Sequence, residues 1–599
     1  MSLKERKDMD PAFMWDTTEL FENDEAFETA LAEIDNEIDA CGAYAGKLNN
    51  AKDVLAFLEA ETLMMRHMND LYCYASLRRS EDTRDGQAVS MFARAGAKAV
   101  KAESAVSFAE PELLGLDEET FNAILNDASL QDYHFYLLNI KDMKPHTLSA
   151  AEESLLSQFG EVFANPEHVS EALMDADLVF DDALDSKGEK HQVSSASYIL
   201  LQNSLDRTLR ENAFRSLYKG YKQHIHTFAQ TYSGDVKAQT TEARIRHYNS
   251  SLEMRMSADH IPTAVYDRLI DAVHKRMDSM YRYVRLRKRL LGVDELHYYD
   301  LYTPLVKADP RHYTYEEAQK MVLSAVAPLG DEYVKRVQKA FDERWIDVYP
   351  NAGKTSGAYS SGSYDSNPYI LLNFTGTLES VSTLAHEMGH SQHTWLTNHN
   401  QPAQYSGYTM FVAEVASTVN ENLLIEQMLQ KETDPQMRLA LLNQYLEGFK
   451  GTVYRQTMFA EFEKEAHAMM ERGEALNAEA LNALYKKLIA LYFGKDLVID
   501  DEVQYEWARI PHFYYNFYVY VYATGYSSAV TISEKVLHEG APAVKKYLEF
   551  LSMGSSQYPL DELAHAGVDL NTEKPVLEAI DKFDKVLDEA EKIADQLGL

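Results

Sequence analysis

The sequence predicts a mainly α-helical fold, and three observations predict it. Helix breakers are scarce: 26 glycines and 16 prolines in 599 residues, about 7% against an average near 12%. Apolar residues recur at helical spacing through the first third, and again at 205–245, at 260–291 and from Leu378 onward. Only two cysteines, Cys41 and Cys73, are present, so no disulfide framework organises the chain.

The elements follow in order. Asp16-Thr17-Thr18 offers caps before ELFENDEAFETALAEIDNEI. Residues 52–108 continue the helical pattern to a stop at Pro111, and Asp117 caps EETFNAILNDAS. Two alternating runs within 177–195 flank Ser186-Lys187-Gly188 and predict a β-hairpin. A division near residue 200 separates an N-terminal helical lobe, 1–200, from a second region, 201–599, with no Pro/Gly/Ser linker between them. Arg282, Arg285, Arg287, Lys288 and Arg289 stand before Gly292. In so acidic a chain they read as a helix C-terminus, where cations complement the dipole and glycine supplies the next position. Residues 344–377 are rich in Gly, Ser, Tyr and β-branched residues and predict two or three short strands with glycine turns.

Charge excludes several function classes. Lys plus Arg total 58 against 94 Asp plus Glu, a formal net charge of −36. Nucleic acid and anionic lipid both need a basic footprint. A hydrophobic share of 45% is that of a folded protein, not an acidic disordered chain. The opening MSLKERKDMD has no apolar stretch after its basic residues, so no secretory signal is expected and the cytoplasm is the expected compartment. Residues 511–533 lack Asp, Glu, Lys and Arg over a membrane-spanning length. Their many tyrosines would lack partners in hydrocarbon, so the run reads as a buried or cleft-lining helix and no membrane association is expected.

The chemistry concentrates at 386–390, His-Glu-Met-Gly-His. On a helix, His386 and His390 leave one face at i and i+4, and two neutral imidazoles suit zinc. Glu387 can reach the attacking water from the side and take its proton. A catalytic zinc also needs a third ligand. His393 lies about 10 Å further along the same axis and reads as a packing or orienting residue. Glu414, in GYTMFVAEVASTVNENLL, is a carboxylate in an apolar stretch, costly unless paired or bound to metal. Two antiparallel helices joined by about fifteen residues would bring it opposite the histidines. Glu421, two turns on, could orient a ligand imidazole or be an exposed helix residue.

HEMGHSQH, the downstream FVAEVAST and the late IPHFYYNFYVYVYATG together resemble the thimet-oligopeptidase-like zinc metallopeptidases, and most nearly their oligoendopeptidase F branch. TSGAYSS and PYILLNFTGTLESVSTLAHEMGH extend the resemblance, which covers most of the chain. It implies a two-lobed zincin-type oligopeptidase fold with a deep channel and a small β-sheet next to the metal-binding helix. It implies one Zn²⁺ per chain on His386, His390 and Glu414, with Glu387 as general base and 201–599 as the catalytic region. It also implies that His512 and downstream tyrosines steady the tetrahedral intermediate. Tyr515, Tyr518 and Tyr522 fall on one helical stripe with His512 a turn before; Tyr518 and Tyr522 are chosen for the oxyanion, Tyr515 for substrate binding. A donor aimed at oxyanion charge is typically worth about 3 kcal/mol. Gly357 and Ala358, opening a strand through 361, would lie beside an extended peptide and bind its main chain.

The expected function is therefore zinc-dependent hydrolysis of internal bonds in short, unstructured oligopeptides. A zinc carboxypeptidase or dipeptidyl carboxypeptidase, or a non-catalytic peptide-binding protein, are the alternatives. A carboxypeptidase would need an Arg or Lys placed to hold the substrate's carboxylate. Oligopeptides are the expected partners, and the oligomeric state stays open.

Overall fold

A computed structural model of the chain describes residues 3–306 and 311–599. Helices dominate it, with seven strands of only two or three residues among the described residues. The chain forms two compact units: Met1–Ala150, Arg311–Gln427 and Ile532–Gly567 make one, and Ala151–Pro310, Met428–Thr531 and Val568–Leu599 the other. The units do not follow the division expected near residue 200. The N-terminal helices serve a sheet that lies far downstream: Trp15, Cys73 and Leu77 are buried in one cluster with Tyr369 and Leu371. Helix Gly160–Ala172, by contrast, packs on Ile225–Ile245 in the second unit.

In the first unit, helices Asp24–Gly42, Ala51–Glu81 and Gly86–Val106 share a core that includes Phe27, Leu31, Met68, Tyr74 and Met91. The first helix starts later than expected. Asn23 caps it by accepting from the Ala26 N–H at 3.0 Å, while Asp16 accepts from Thr18 in a local turn and from the Arg344 guanidinium. The segment 52–108 is two helices, split where the Asp85 side chain accepts from the Gln87 N–H and starts the second. Pro111 sits in a further short helix, Ala109–Leu114, which its missing N–H does not harm in the first turn. Asp117 does cap Glu118–Leu125.

Three strands form within 344–377. Tyr369–Leu371 is central, parallel to Ile346–Asp347 and antiparallel to Tyr359–Ser361. Tyr359–Ser361 is thus an edge strand, and both it and the central strand lie against helix Leu378–Asn400. Thr377 caps that helix by accepting from the Ser380 N–H. The next helix, Met410–Lys431, follows after residues 401–409. This connection is shorter than expected because the first helix runs on to Asn400.

In the second unit, Ala183–Leu184 and Lys190–His191 form the expected hairpin. Helix Met277–Leu291 ends at Gly292 with φ 62°. Its arginines are matched by acids: Arg282 reaches Asp588 at 2.6 Å and Glu591 at 2.8 Å, Arg287 reaches Glu447 at 2.5 Å, and Arg289 reaches Asp595 at 2.5 Å. They are a helix C-terminus paired within the chain, not a free basic surface. The tyrosine run is not one helix. Pro511–Tyr514 is a 3₁₀ turn, Asn516 and Phe517 have φ of 41° and 55°, and the α-helix starts only at Tyr520. No helix among the described residues is long and apolar enough to cross a membrane.

Candidate metal centre

The site in the first unit is built from two antiparallel helices held unusually close. Gly389 makes the approach possible: a Cβ there would lie 2.5 Å from the Ala416 carbonyl oxygen and 2.6 Å from Ser417 Cα. One turn away the buried Asn420 side chain donates to the Ala385 carbonyl at 3.1 Å, bridging the same pair of helices. The sequence motif shows the histidines but not why the residue between them must be small.

This packing brings three donor atoms to one point. His386 Nε2 and His390 Nε2 are 3.2 Å apart. Glu414 Oε2 lies 3.4 Å from the first and 3.5 Å from the second. Tetrahedral coordination with bonds of about 2.0–2.1 Å requires donor separations of roughly 3.3–3.4 Å. The triangle fits three protein ligands of such a site and leaves a fourth direction open. Two imidazole nitrogens and a carboxylate oxygen are also the donor set zinc takes. Among the described residues one other group of potential ligands has its atoms within 4.8 Å of one another, Asp185, Glu189 and His191 in the hairpin. There Asp185 Oδ1 already accepts from the Lys187 and Glu189 N–H groups of the turn.

The surroundings orient the ligands. Glu421 Oε2 lies 3.5 Å from His386 Nδ1, on the side of the ring away from Glu414, where a carboxylate fixes the tautomer that leaves Nε2 free to bind. Ser417 donates to Glu414 Oε2 at 3.0 Å. Its position, one turn after Glu414 on the same face, was the available signal in the sequence. Burial disfavours a charged His386, yet Glu421, then Glu387 and Glu414, outweigh it and raise its pKa to about 9. Burial also disfavours the Glu414 carboxylate, but His390, His386 and Ser417 hold it down to about 2. The cluster is arranged around positive charge.

Glu387 is buried, 6% exposed. Burial pushes its carboxyl above the usual range, opposed by His386 and His390. His393 points elsewhere: it is buried, its ring stacks on Tyr408 at 3.7 Å, and burial pushes its pKa down to about 3. Gly357 and Ala358 line a cavity together with Asn373, Phe374, Thr377 and Ser380, between the sheet edge and the start of the metal helix. The Asn373 side chain donates to the Thr355 and Gly357 carbonyls at 3.0 and 2.9 Å and so shapes that edge.

His512 and the tyrosines belong to the second unit and cluster there without the helical stripe expected of them. The His512 ring lies 5.6 Å from Tyr515 and 6.1 Å from Tyr522, and Tyr518 lies 5.3 Å from Tyr522. The left-handed bend at Asn516-Phe517, which no glycine announces, does what helical periodicity was expected to do. Burial lowers the His512 pKa, which favours the neutral ring.

Comparison with known proteins fits this centre. The model of a family described as Peptidase family M3 matches residues 200–582, and one described as Oligopeptidase F matches 112–180. The chain is 42% identical to Oligopeptidase PepF of Bacillus subtilis over 593 residues, covering 99% of this chain and 88% of that protein. It is 41% identical to Group B oligopeptidase PepB of Streptococcus agalactiae, covering 98% of each. A crystal structure of oligoendopeptidase-F from Enterococcus faecium superposes with a TM-score of 0.74 at 36% identity, covering 96% of this chain and 99% of that one. A structure from Chlamydophila abortus superposes with a TM-score of 0.93 at 34% identity, covering 99% and 100%.

Proposed function

The chain belongs to peptidase family M3 and is a metallopeptidase acting on oligopeptides, and from that premise we propose that its metal is zinc and that it cuts internal peptide bonds. The observation that carries this reading is the donor triangle of His386, His390 and Glu414, with sides of 3.2, 3.4 and 3.5 Å. These three residues would hold the ion. Zinc bound there supplies the positive charge that acidifies water and draws electron density from a carbonyl.

Glu387 takes the proton of the attacking water and later delivers it to the leaving amine. Its burial supports this role, because a carboxyl raised above its usual range is better matched to proton transfer near neutral pH. His512 and Tyr518, with Tyr522, donate hydrogen bonds to the oxyanion, and Tyr515 contacts substrate; this assignment rests on the family resemblance. The substrate lies extended past Gly357-Ala358, which lead into the edge strand rather than belong to it, and pairs through its main chain with Tyr359–Ser361. That mode reads backbone rather than side chains, so sequence preference is broad. Two free, buried cysteines and an acidic surface support a reducing, cytoplasmic setting.

The test is an internally quenched peptide blocked at both ends, incubated with zinc-loaded and chelator-stripped protein, with products mapped by mass spectrometry. Internal cleavage that disappears on stripping and returns with zinc is expected. Cleavage only of peptides with a free C-terminus would replace this reading with a carboxypeptidase.

A further inference from the structure

The tyrosine segment bends at Asn516 and Phe517, with φ of 41° and 55°. Among the described residues these are the only two adjacent non-glycine residues in the left-handed region. Such a conformation persists only where its surroundings over-determine it, and it concentrates at functional sites.

The surroundings do over-determine it. Directly beneath the bend is Glu463, on helix Arg455–Glu471, with 0% exposure. Its Oε1 accepts the Phe517 N–H at 2.5 Å, while its Oε2 has no hydrogen-bond partner among the described residues. The Asn516 side chain donates to Gln239 Oε1 at 2.9 Å. The Phe517 ring packs 4.4 Å from His467 and 5.8 Å from Tyr266. Burial, with Asp235 adding repulsion, favours the neutral acid at Glu463 against the opposing pull of the Phe517 N–H and Arg255. A neutral carboxyl can accept this one backbone bond without a buried charge.

On both sides of the bend stand polar groups that the chain itself does not use. The side chains of His512, Tyr515 and Tyr518 make no hydrogen bond among the described residues. Their rings nevertheless cluster, with centroid separations of 5.6 Å for His512–Tyr515 and 6.5 Å for Tyr515–Tyr518. The bend lies directly between Tyr515 and Tyr518, with His512 in the 3₁₀ turn just before, so it contributes to how these groups sit together.

We propose that Glu463 is a positioning residue: by accepting the Phe517 N–H in a buried site it locks the left-handed bend and thereby presents His512 and Tyr518 to the substrate. The proposal rests on the assignment of His512 and Tyr518 to the oxyanion. Leucine has a similar volume but leaves the Phe517 N–H buried and unpaired. Glutamine keeps a neutral acceptor in the same place.

The experiment compares Glu463→Leu, Glu463→Gln, His512→Ala and the double variant His512→Ala/Glu463→Leu, all as the full zinc-loaded chain. Readouts are kcat, KM, bound zinc and thermal unfolding. Glu463→Leu should stay folded with full zinc and lose about tenfold or more in kcat with KM within about threefold, the pattern of a contact made only in the transition state. Glu463→Gln should restore kcat to within about threefold. In the His512→Ala background the leucine replacement should cost distinctly less than in the wild type, because the share of its effect that runs through His512 is already gone and only the Tyr518 share remains. Unchanged kcat in Glu463→Leu, an equal loss in both backgrounds, or loss of zinc would overturn the proposal. Wild-type kcat in His512→Ala would instead remove the oxyanion assignment, and the positioning role with it. If Glu463→Leu does not fold, Gln239→Leu replaces it; that variant removes the Asn516 anchor of the same bend, together with the Gln239 hydrogen bond to Asp235, and should show the same selective fall in kcat, and an unchanged kcat there overturns the proposal.

Discussion

Replacing Gly389 with alanine sets two effects of opposite sign against each other. Alanine is the better helix former by about 1 kcal/mol, so propensity alone predicts a more stable protein. The added Cβ, however, would lie 2.5 Å from the Ala416 oxygen and 2.6 Å from Ser417 Cα, where ordinary contact begins near 3.4 Å. Both atoms are backbone and cannot rotate away. The helix carrying Glu414 must retreat by about 1 Å, against a tolerance near 0.2 Å for metal–ligand distances. The Glu414 carboxylate cannot simply stay behind, because Ser417 on the same helix holds its Oε2 at 3.0 Å. Overpacking of this kind costs about 1–3 kcal/mol, enough to cancel or exceed the propensity gain. Zinc affinity, measured by chelator competition, should fall at least about 10–100-fold, with a Tm no higher than wild type. Gly96→Ala is the control: it lies in a helix and a Cβ there meets nothing within 4 Å, so it should leave zinc affinity alone and raise Tm slightly. If Gly389→Ala binds zinc as tightly as wild type, close helix approach is not what builds the centre.

Glu387→Gln should remain folded and zinc-loaded while activity drops by about 10³ or more, read by steady-state rates and elemental analysis. Glu414→Ala should lose bound zinc whereas His393→Ala, packed on Tyr408, should keep it; the reverse result would reassign the third ligand. Burial, with repulsion from Asp561, raises the Glu562 pKa to about 8. Its folded-state pKa lies above the unfolded value, so its contribution to stability is complete below that value and is lost as pH rises through about 8. Glu562→Gln should therefore match the wild-type Tm at pH 5 and exceed it at pH 9.5. Main-chain pairing with the edge at Tyr359–Ser361 needs an extended partner; unstructured peptides should be cut while a folded protein of the same sequence content resists until it opens locally, as a timed digest would show.

The metal motif was legible because a helix turns two spacings, i and i+4, into one face, and because an isolated Glu414 among Val412, Ala413, Val415 and Ala416 has few other uses. The strands of 344–377 and the helix C-terminus at Gly292 were legible from composition and charge. The bend at Asn516-Phe517 was not, because left-handed asparagine and phenylalanine leave no mark like glycine's; the tyrosine stripe inferred from an unbroken helix was the consequence. The start of the first helix was misplaced because Asp16-Thr17-Thr18 and Asn23 are both competent caps, and only tertiary packing selects between them. The compact units escaped notice for a different reason: side-chain patterning is local, while the partnership of Trp15 and Cys73 with Tyr369 spans hundreds of residues.

That interleaving has a consequence for how the protein is made. A ribosome releases the chain from its N-terminus, and by residue 431 every candidate zinc ligand has been synthesised. The unit that holds them is still missing Ile532–Gly567. That late segment supplies the Leu551 carbonyl that accepts from Thr397, the Ser552 carbonyl that accepts from Gln401, and the Phe550 ring against His393. The two histidines therefore emerge on a helix whose far end is held by earlier residues such as Ser363 and Tyr364 but lacks these later contacts until more than a hundred further residues have been added. At about 5–20 residues per second, that is a delay of several seconds or more in which the nascent chain cannot complete the unit that carries its own active metal. The unit that carries the candidate ligands is thus complete only once Ile532–Gly567 has been made.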